Sequence, residues 1–195
     1  AGVKTCFVYD VAGQLTDQTT ACDTTEAVTV HFAYDDAGRR THTYTGYIDA
    51  TTYESVSETE YDDVGRTLAS IRRDSSGTIL AKSTYVYDDN GRVVSTTRVE
   101  DLSDDSGPTT RYAYDSRGRR VLTTLPDGTI TTSNYDGVGR LTQAIDQLGI
   151  QTAYTYDPTG NLTQIVQAAN TPDALTTSHV YDLLGRRTET TDPSG

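Results

Sequence analysis

Residues 128–142 read Gly128-Thr-Ile-Thr-Thr-Ser-Asn-Tyr-Asp-Gly-Val-Gly-Arg-Leu-Thr142, and the phrase returns from Gly149 to Tyr156-Asp157-Pro158-Thr159-Gly160-Asn161-Leu162. Each copy leaves a glycine, runs through strand-forming Thr, Ile or Tyr, reaches Tyr-Asp and turns on a second glycine. Working outward, Tyr-Asp pairs stand at Tyr9, Tyr34, Tyr61, Tyr87, Tyr114, Tyr135, Tyr156 and Tyr181, spaced by 25, 27, 26, 27, 21, 21 and 25 residues. Glycine follows each Tyr by four residues, at Gly13, Gly38, Gly65, Gly91, Gly118, Gly139, Gly160 and Gly185. Arg comes next in six copies, at Arg39, Arg66, Arg92, Arg119, Arg140 and Arg186, with Gln14 and Asn161 in the other two. Such self-similarity at a fixed register defines a repeat architecture.

The motif has a mechanical reading. Asp-x-x-Gly is the signature of a type I turn, whose first-position carboxylate accepts N–H bonds from within the turn. A glycine with positive φ after that turn makes the three-residue hairpin loop with a bulge. Asp and the residue after Gly then face each other, which predicts the pairs Asp35–Arg39, Asp62–Arg66, Asp88–Arg92, Asp115–Arg119, Asp136–Arg140 and Asp182–Arg186. These are expected to be exposed and individually weak. A second set of turns alternates with the first: Asp74–Gly77, Asp104–Gly107, Asp146–Gly149 and Asp192–Gly195, with Leu125–Gly128 as a variant. Longer repeats extend strands or second turns around Asp49–Ser57, Val99–Thr109 and Ala168–Thr176.

The reading is therefore an all-β chain of tandem antiparallel hairpins in a continuous, curved or spiralling sheet, open at both ends. It forms a single array over residues 1–195, with motif copies at 9–14, 34–39, 61–66, 87–92, 114–119, 135–140, 156–161 and 181–186. Along each strand the motif Tyr shares a face with the residue two before it, as Phe32, Tyr85, Tyr112 and Tyr154 show. After the turn, Leu15, Val93, Leu141 and Leu162 are expected on the Tyr face, and Leu68, Val94 and Val121 on the other. Neither face is uniformly apolar, so stability is expected from the backbone ladder and neighbour-to-neighbour packing.

Composition narrows function. A formal net charge of −12 without a basic stripe opposes nucleic-acid binding. No apolar run approaches the length of a membrane-spanning helix. Cys6 and Cys22 can pair with each other, which would suit an extracellular setting, or remain free; spacing does not place their Cβ atoms.

These residues resemble the YD-repeat, or RHS-repeat, family, most closely over Gly128–Thr142 and Gly149–Leu162, and the likeness runs along essentially the whole chain. That family includes bacterial RHS toxins, the C component of insecticidal toxin complexes and the teneurins. The resemblance implies strands spiralling into a β-shell that encloses a toxic domain or serves a cell-surface receptor. It also implies a secreted or surface location, bacterial for the toxins. No autoproteolytic segment or appended toxin domain is legible within residues 1–195.

Catalytic readings are weaker. His31, His42 and His179 lack Cys or carboxylates at metal-ligand spacing, and no Gly-x-Ser-x-Gly elbow appears. Paired carboxylates such as Asp35-Asp36 and Asp104-Asp105 read better as turn caps than as a calcium loop. The expectation is a non-enzymatic scaffold without cofactor or metal. Its partners would be further repeats of the same chain, or neighbouring copies joined through open edges as a head-to-tail fibre. An enclosed toxin domain, or glycans stacked on the Tyr rows, completes the list.

Overall fold

The computed structural model describes residues 2–193, so the end of the Asp192–Gly195 turn lies outside the described residues. The chain divides into two compact units, Ala1–Thr109 and Thr110–Gly195. The first holds β1 (Thr5–Tyr9), β2 (Leu15–Thr20), β3 (Val28–Tyr34), β4 (Arg40–Thr45), β5 (Ser55–Tyr61), β6 (Thr67–Asp74), β7 (Ile79–Tyr87) and β8 (Val93–Arg98). The second is built from β9 (Thr109–Tyr114), β10 (Arg120–Thr124), β11 (Ile130–Tyr135), β12 (Leu141–Ile145), β13 (Gln151–Tyr156), β14 (Leu162–Gln167), β15 (Leu175–Tyr181) and β16 (Arg187–Thr191). Strand order follows chain order throughout, and within each unit every strand pairs antiparallel with its sequence neighbours in an unclosed sheet. Among the described residues no helix is long and apolar enough to cross a membrane.

The motif turns have one geometry. Asp35 N–H donates to the Arg39 carbonyl at 2.9 Å and Gly38 N–H donates to the Asp35 carbonyl at 2.9 Å, and the other seven copies repeat the pair of bonds. The eight motif glycines have φ between 74° and 102°, where a Cβ is strained. Register then slips by one residue beside every motif Tyr, so that Tyr135 faces Leu141 while Asn134 faces Gln143. The residue left over is a β-bulge. In five copies it is Thr, and its hydroxyl donates to the carbonyl before the motif Tyr: Thr16 to Val8, Thr41 to Ala33, Thr142 to Asn134, Thr163 to Thr155 and Thr188 to Val180. Leu15, Val93, Leu141 and Leu162 do face the motif Tyr. Leu68, Val94 and Val121 are the unpaired bulge residues of their hairpins.

Second turns at Asp74, Leu125 and Asp146 close in the same way as the motif turns. Asp104–Gly107 does not. Asp105 takes φ 58°, Gly107 stays out of the left-handed region, and Glu100 and Asp101 donate to the Ser106 carbonyl. Gly107 is needed there for a close approach, because a Cβ on it would collide with the Arg98 carbonyl.

The first unit has a small core at Phe32, Val56, Ala69, Ile71 and Val99, each at 9% exposure or less. Two long connections accompany it. One carries Tyr47 and Tyr53 onto Tyr44, with ring centroids 5.8 and 5.0 Å away, and Tyr47 stacks on His31 at 4.3 Å. His31 Nδ1 lies 2.7 Å from Asp17 Oδ1, and His42 stacks against Tyr44, so these two histidines belong to one aromatic cluster. The other connection is held by Lys82 Nζ on the Asp105 carboxylate at 2.7 Å and by Val99 N–H on the Lys82 carbonyl at 2.8 Å. Cys6 and Cys22 are joined as a disulfide with Cα atoms 6.0 Å apart. Asp23 lies beside them, but thiols bound to each other cannot serve as thiolate ligands to a metal.

Candidate functional site: a ladder along the turn edge

Each motif turn is first closed on itself. Asp136 Oδ1 accepts from Val138 N–H at 3.0 Å and Arg140 N–H at 2.9 Å, while Oδ2 accepts from Arg140 Nε at 2.6 Å. Asp35, Asp62, Asp88, Asp115 and Asp182 bind their turns and their Arg partners likewise, with Nε–Oδ2 distances of 2.7, 2.6, 2.7, 2.7 and 2.7 Å. Hydrogen bonds to the charged form favour it. The Arg140 backbone N–H, with its guanidinium, lowers Asp136 to about 2 despite some desolvation. The same backbone contact leads in lowering Asp35, Asp88, Asp115 and Asp182. At Asp62 desolvation pushes upward and is overcome by its bonds to Arg66. Asp157 is lowered to about 2 by the Thr159 hydroxyl and then the Asn161 amide. Every carboxylate in this row is thus occupied as a turn cap.

Five of the six Asp–Arg pairs are not exposed as expected. Their Arg side chains keep only 26–36% of their surface, against 74% for Arg186. For Arg39, Arg66, Arg119 and Arg140 the cover comes from the following repeat. Arg39 Nη1 donates to the Asp62 carbonyl at 3.0 Å, and its guanidinium carbon lies 4.8 Å from the Tyr61 ring centroid. Arg66 meets Asp88 and Tyr87 in this way at 3.5 and 4.7 Å. Arg119 meets Asp136 and Tyr135 at 3.4 and 4.5 Å, and Arg140 meets Asp157 and Tyr156 at 3.1 and 4.7 Å. The planar guanidinium suits both tasks, forking onto a carboxylate with one edge and stacking on an aromatic face.

The tyrosines answer in the other direction. Tyr34, Tyr61, Tyr87, Tyr156 and Tyr181 donate their hydroxyls to the carbonyls of Leu15, Arg40, Thr67, Leu141 and Leu162 in the preceding repeat, at 2.8–2.9 Å. Tyr135 reaches Arg120 at 3.4 Å. The motif thus links repeats as well as shaping turns. Sequence reasoning found the Arg–Asp contact within a turn but missed the contact between turns, for which the constant Tyr–Arg register was the available signal.

The RHS Repeat family matches residues 97–130 and 135–172. Those two stretches are RHS repeats. Two solved structures share the fold of these repeats. One is the Tc holotoxin pore of Photorhabdus luminescens, at 18% identity and TM-score 0.59 over 98% of this chain and 12% of that one. The other is TcdB2-TccC3-TEV, at 16% identity and TM-score 0.57 over 96% of this chain and 11% of that one. This chain therefore spans about an eighth or less of those two chains. No curated protein sequence matches it.

Proposed function

We propose that these RHS repeats serve as a non-catalytic scaffold, a wall segment of a larger secreted or surface bacterial protein whose shell encloses or displays a cargo domain. The carrying observation is the Arg–Tyr–Asp ladder. It commits the motif's charged and aromatic groups to joining one repeat to the next, as at Arg140, Tyr156 and Asp157. Such a linkage can be extended repeat by repeat without a change of chemistry. The fold shared with the Tc holotoxin pore supports a toxin domain as the cargo. The extracellular setting is supported by the Cys6–Cys22 disulfide.

The test is protease protection of the full-length protein. Its cargo segment should survive digestion while the ladder is intact and become cleavable in an Arg119→Ala/Arg140→Ala variant. Cargo digested at the same rate in both proteins would rule out enclosure by this wall.

A further inference from the structure

Repeat seven lacks the ladder arginine. Asn161 stands in its place, and its amide stays on its own turn, donating to Asp157 Oδ2 and Thr159 Oγ1 at 2.9 Å each. Beyond it lies a cleft of about 470 Å³ lined by Asp157, Thr159, Asn161, Tyr181, Asp182 and the turn to Gly185. Those walls are the groups that hold a guanidinium one repeat earlier, where Arg140 lies on the Asp136 carboxylate at 2.6 Å, over Tyr156 at 4.7 Å and on the Asp157 carbonyl at 3.1 Å. Their counterparts are the Asp157 carboxylate, the Tyr181 ring and the Asp182 carbonyl. That carbonyl accepts Gly185 N–H at 3.0 Å, as the other turn carbonyls do, and keeps a second lone pair.

The other substituted copy differs. Gln14, one methylene longer, reaches across its neighbour's turn, so that a Cβ on Gly38 would meet its Nε2 at 2.9 Å. At Gly185 the nearest atom is Asn161 Oδ1, at 3.7 Å.

We propose that the cleft between Asp157 and Tyr181 binds a guanidinium group from outside the chain, lying over the Tyr181 ring and on the Asp182 carbonyl as the ladder arginines lie on theirs, beside the Asp157 carboxylate, whose Oδ2 keeps one lone pair after accepting from Asn161. The charge balance favours a cation, because Asp157 has the Asn161 amide where six of the other seven motif turns have a guanidinium. Leu183 and Leu184, 106% and 77% exposed, sit on the same turn and can carry the aliphatic stem of an arginine side chain. A compact, strongly hydrated ammonium would match the aromatic wall less well than a guanidinium.

The experiment is a titration of the isotope-labelled chain at constant ionic strength, followed by amide chemical shifts. Ethylguanidinium, a blocked Gly-Arg-Gly peptide and its Gly-Lys-Gly counterpart are the probes. Shifts are expected at residues 157–161 and 181–186, with the lysine peptide weaker than the arginine peptide. Asn161→Arg, which supplies the missing group, should weaken binding about tenfold or more. It should also slow amide exchange in the Asp182–Gly185 turn. Tyr181→Leu should weaken binding without filling the cleft, and it keeps the test decisive if Asn161→Arg fails to fold. Tighter binding of the arginine peptide than of ethylguanidinium identifies a protein side chain as the source, and equal binding identifies a free guanidinium compound; both support the site. Shifts spread evenly over all eight turns, undiminished binding by folded Asn161→Arg or by Tyr181→Leu, or no binding of either guanidinium probe would overturn it.

Discussion

In residues 1–109 five hydrophobic side chains fall to 9% exposure or less, whereas among the described residues of 110–195 none does. The two units nevertheless share the same turns, bulges and ladder contacts. What differs is the connections. In the first unit, residues 46–54 bring Tyr47 and Tyr53 onto Tyr44, which pairs with Val56, and residues 99–108 carry Val99 and Asp105 to Lys82. In the second unit, short turns at Leu125 and Asp146 return the chain at once, and the longer connection 168–174 is tied by hydrogen bonds to Gln151 and Gly149 without burying a hydrophobic side chain. The repeat therefore does not need a core to adopt its geometry. Burial is an addition where a long connection also carries apolar or aromatic side chains, as 46–54 and 99–108 do and 168–174 does not.

Ile71→Ala should break that comparison most sharply. Ile71 is 4% exposed, and truncating a buried Ile costs about 2–5 kcal/mol. Denaturant unfolding should show the loss in the first unit. Ile165→Ala, at a half-buried position of β14, should cost clearly less. Equal losses would mean that burial matters as much in the second unit as in the first.

Arg140→Ala tests the ladder where no core supports it. It removes a contact on the Tyr156 ring and a charged bond to the Asp157 carbonyl, together worth about 2–4 kcal/mol, along with the pairing to Asp136 in its own turn. Amide exchange should quicken in the turns at 136–140 and 157–161 and remain unchanged three repeats away. A uniform rise across the chain would show that the contacts are not confined to neighbouring repeats. Tyr156→Phe removes only the hydroxyl bond to Leu141, and about 0.5–1.5 kcal/mol is expected. Combined with Arg140→Ala, it should cost less than the sum of the two, since both act on one ring.

Much of this was legible in the sequence because it is local. Asp-x-x-Gly dictates its own hydrogen bonds within five residues, so the eight motif turns and their Asp–Arg pairs could be read directly. The Arg-to-Tyr stacking between repeats joins residues 16–22 positions apart, and only the constant register of Tyr and Arg signalled it. The bulge beside each Tyr was hidden as well, since nothing in Leu68 or Val121 announces it. The Thr that occupies the bulge in five copies is hidden among strand threonines. Asp104–Gly107 carries the right letters, yet Gly107 is used for closeness to the Arg98 carbonyl and Asp105 supplies the positive φ. The aromatic cluster was illegible for a similar reason, since Tyr47 and Tyr53 lie on an irregular connection where no periodicity assigns a face.

Acid should separate the units with the smallest perturbation. Asp136 and Asp157 are held at about 2 when folded, below the ordinary value of 3.8, because their charged forms accept turn N–H and side-chain bonds. A group depressed on folding contributes its stability in full above its unfolded pKa and loses it as pH falls through the folded one. The window is therefore about pH 4 down to 2. The first unit also loses turn caps in that range, at Asp35, Asp62 and Asp88, but the burial of Val56 and Ile71 does not titrate. Exchange in residues 110–195 should consequently accelerate at a higher pH than in residues 1–109. Asp136→Asn keeps an acceptor oxygen for the turn but cannot ionise, so it should lower stability at neutral pH and flatten the acid limb locally. If both units lose protection at the same pH, turn caps outweigh buried surface in the first unit, and its long connections add little to stability.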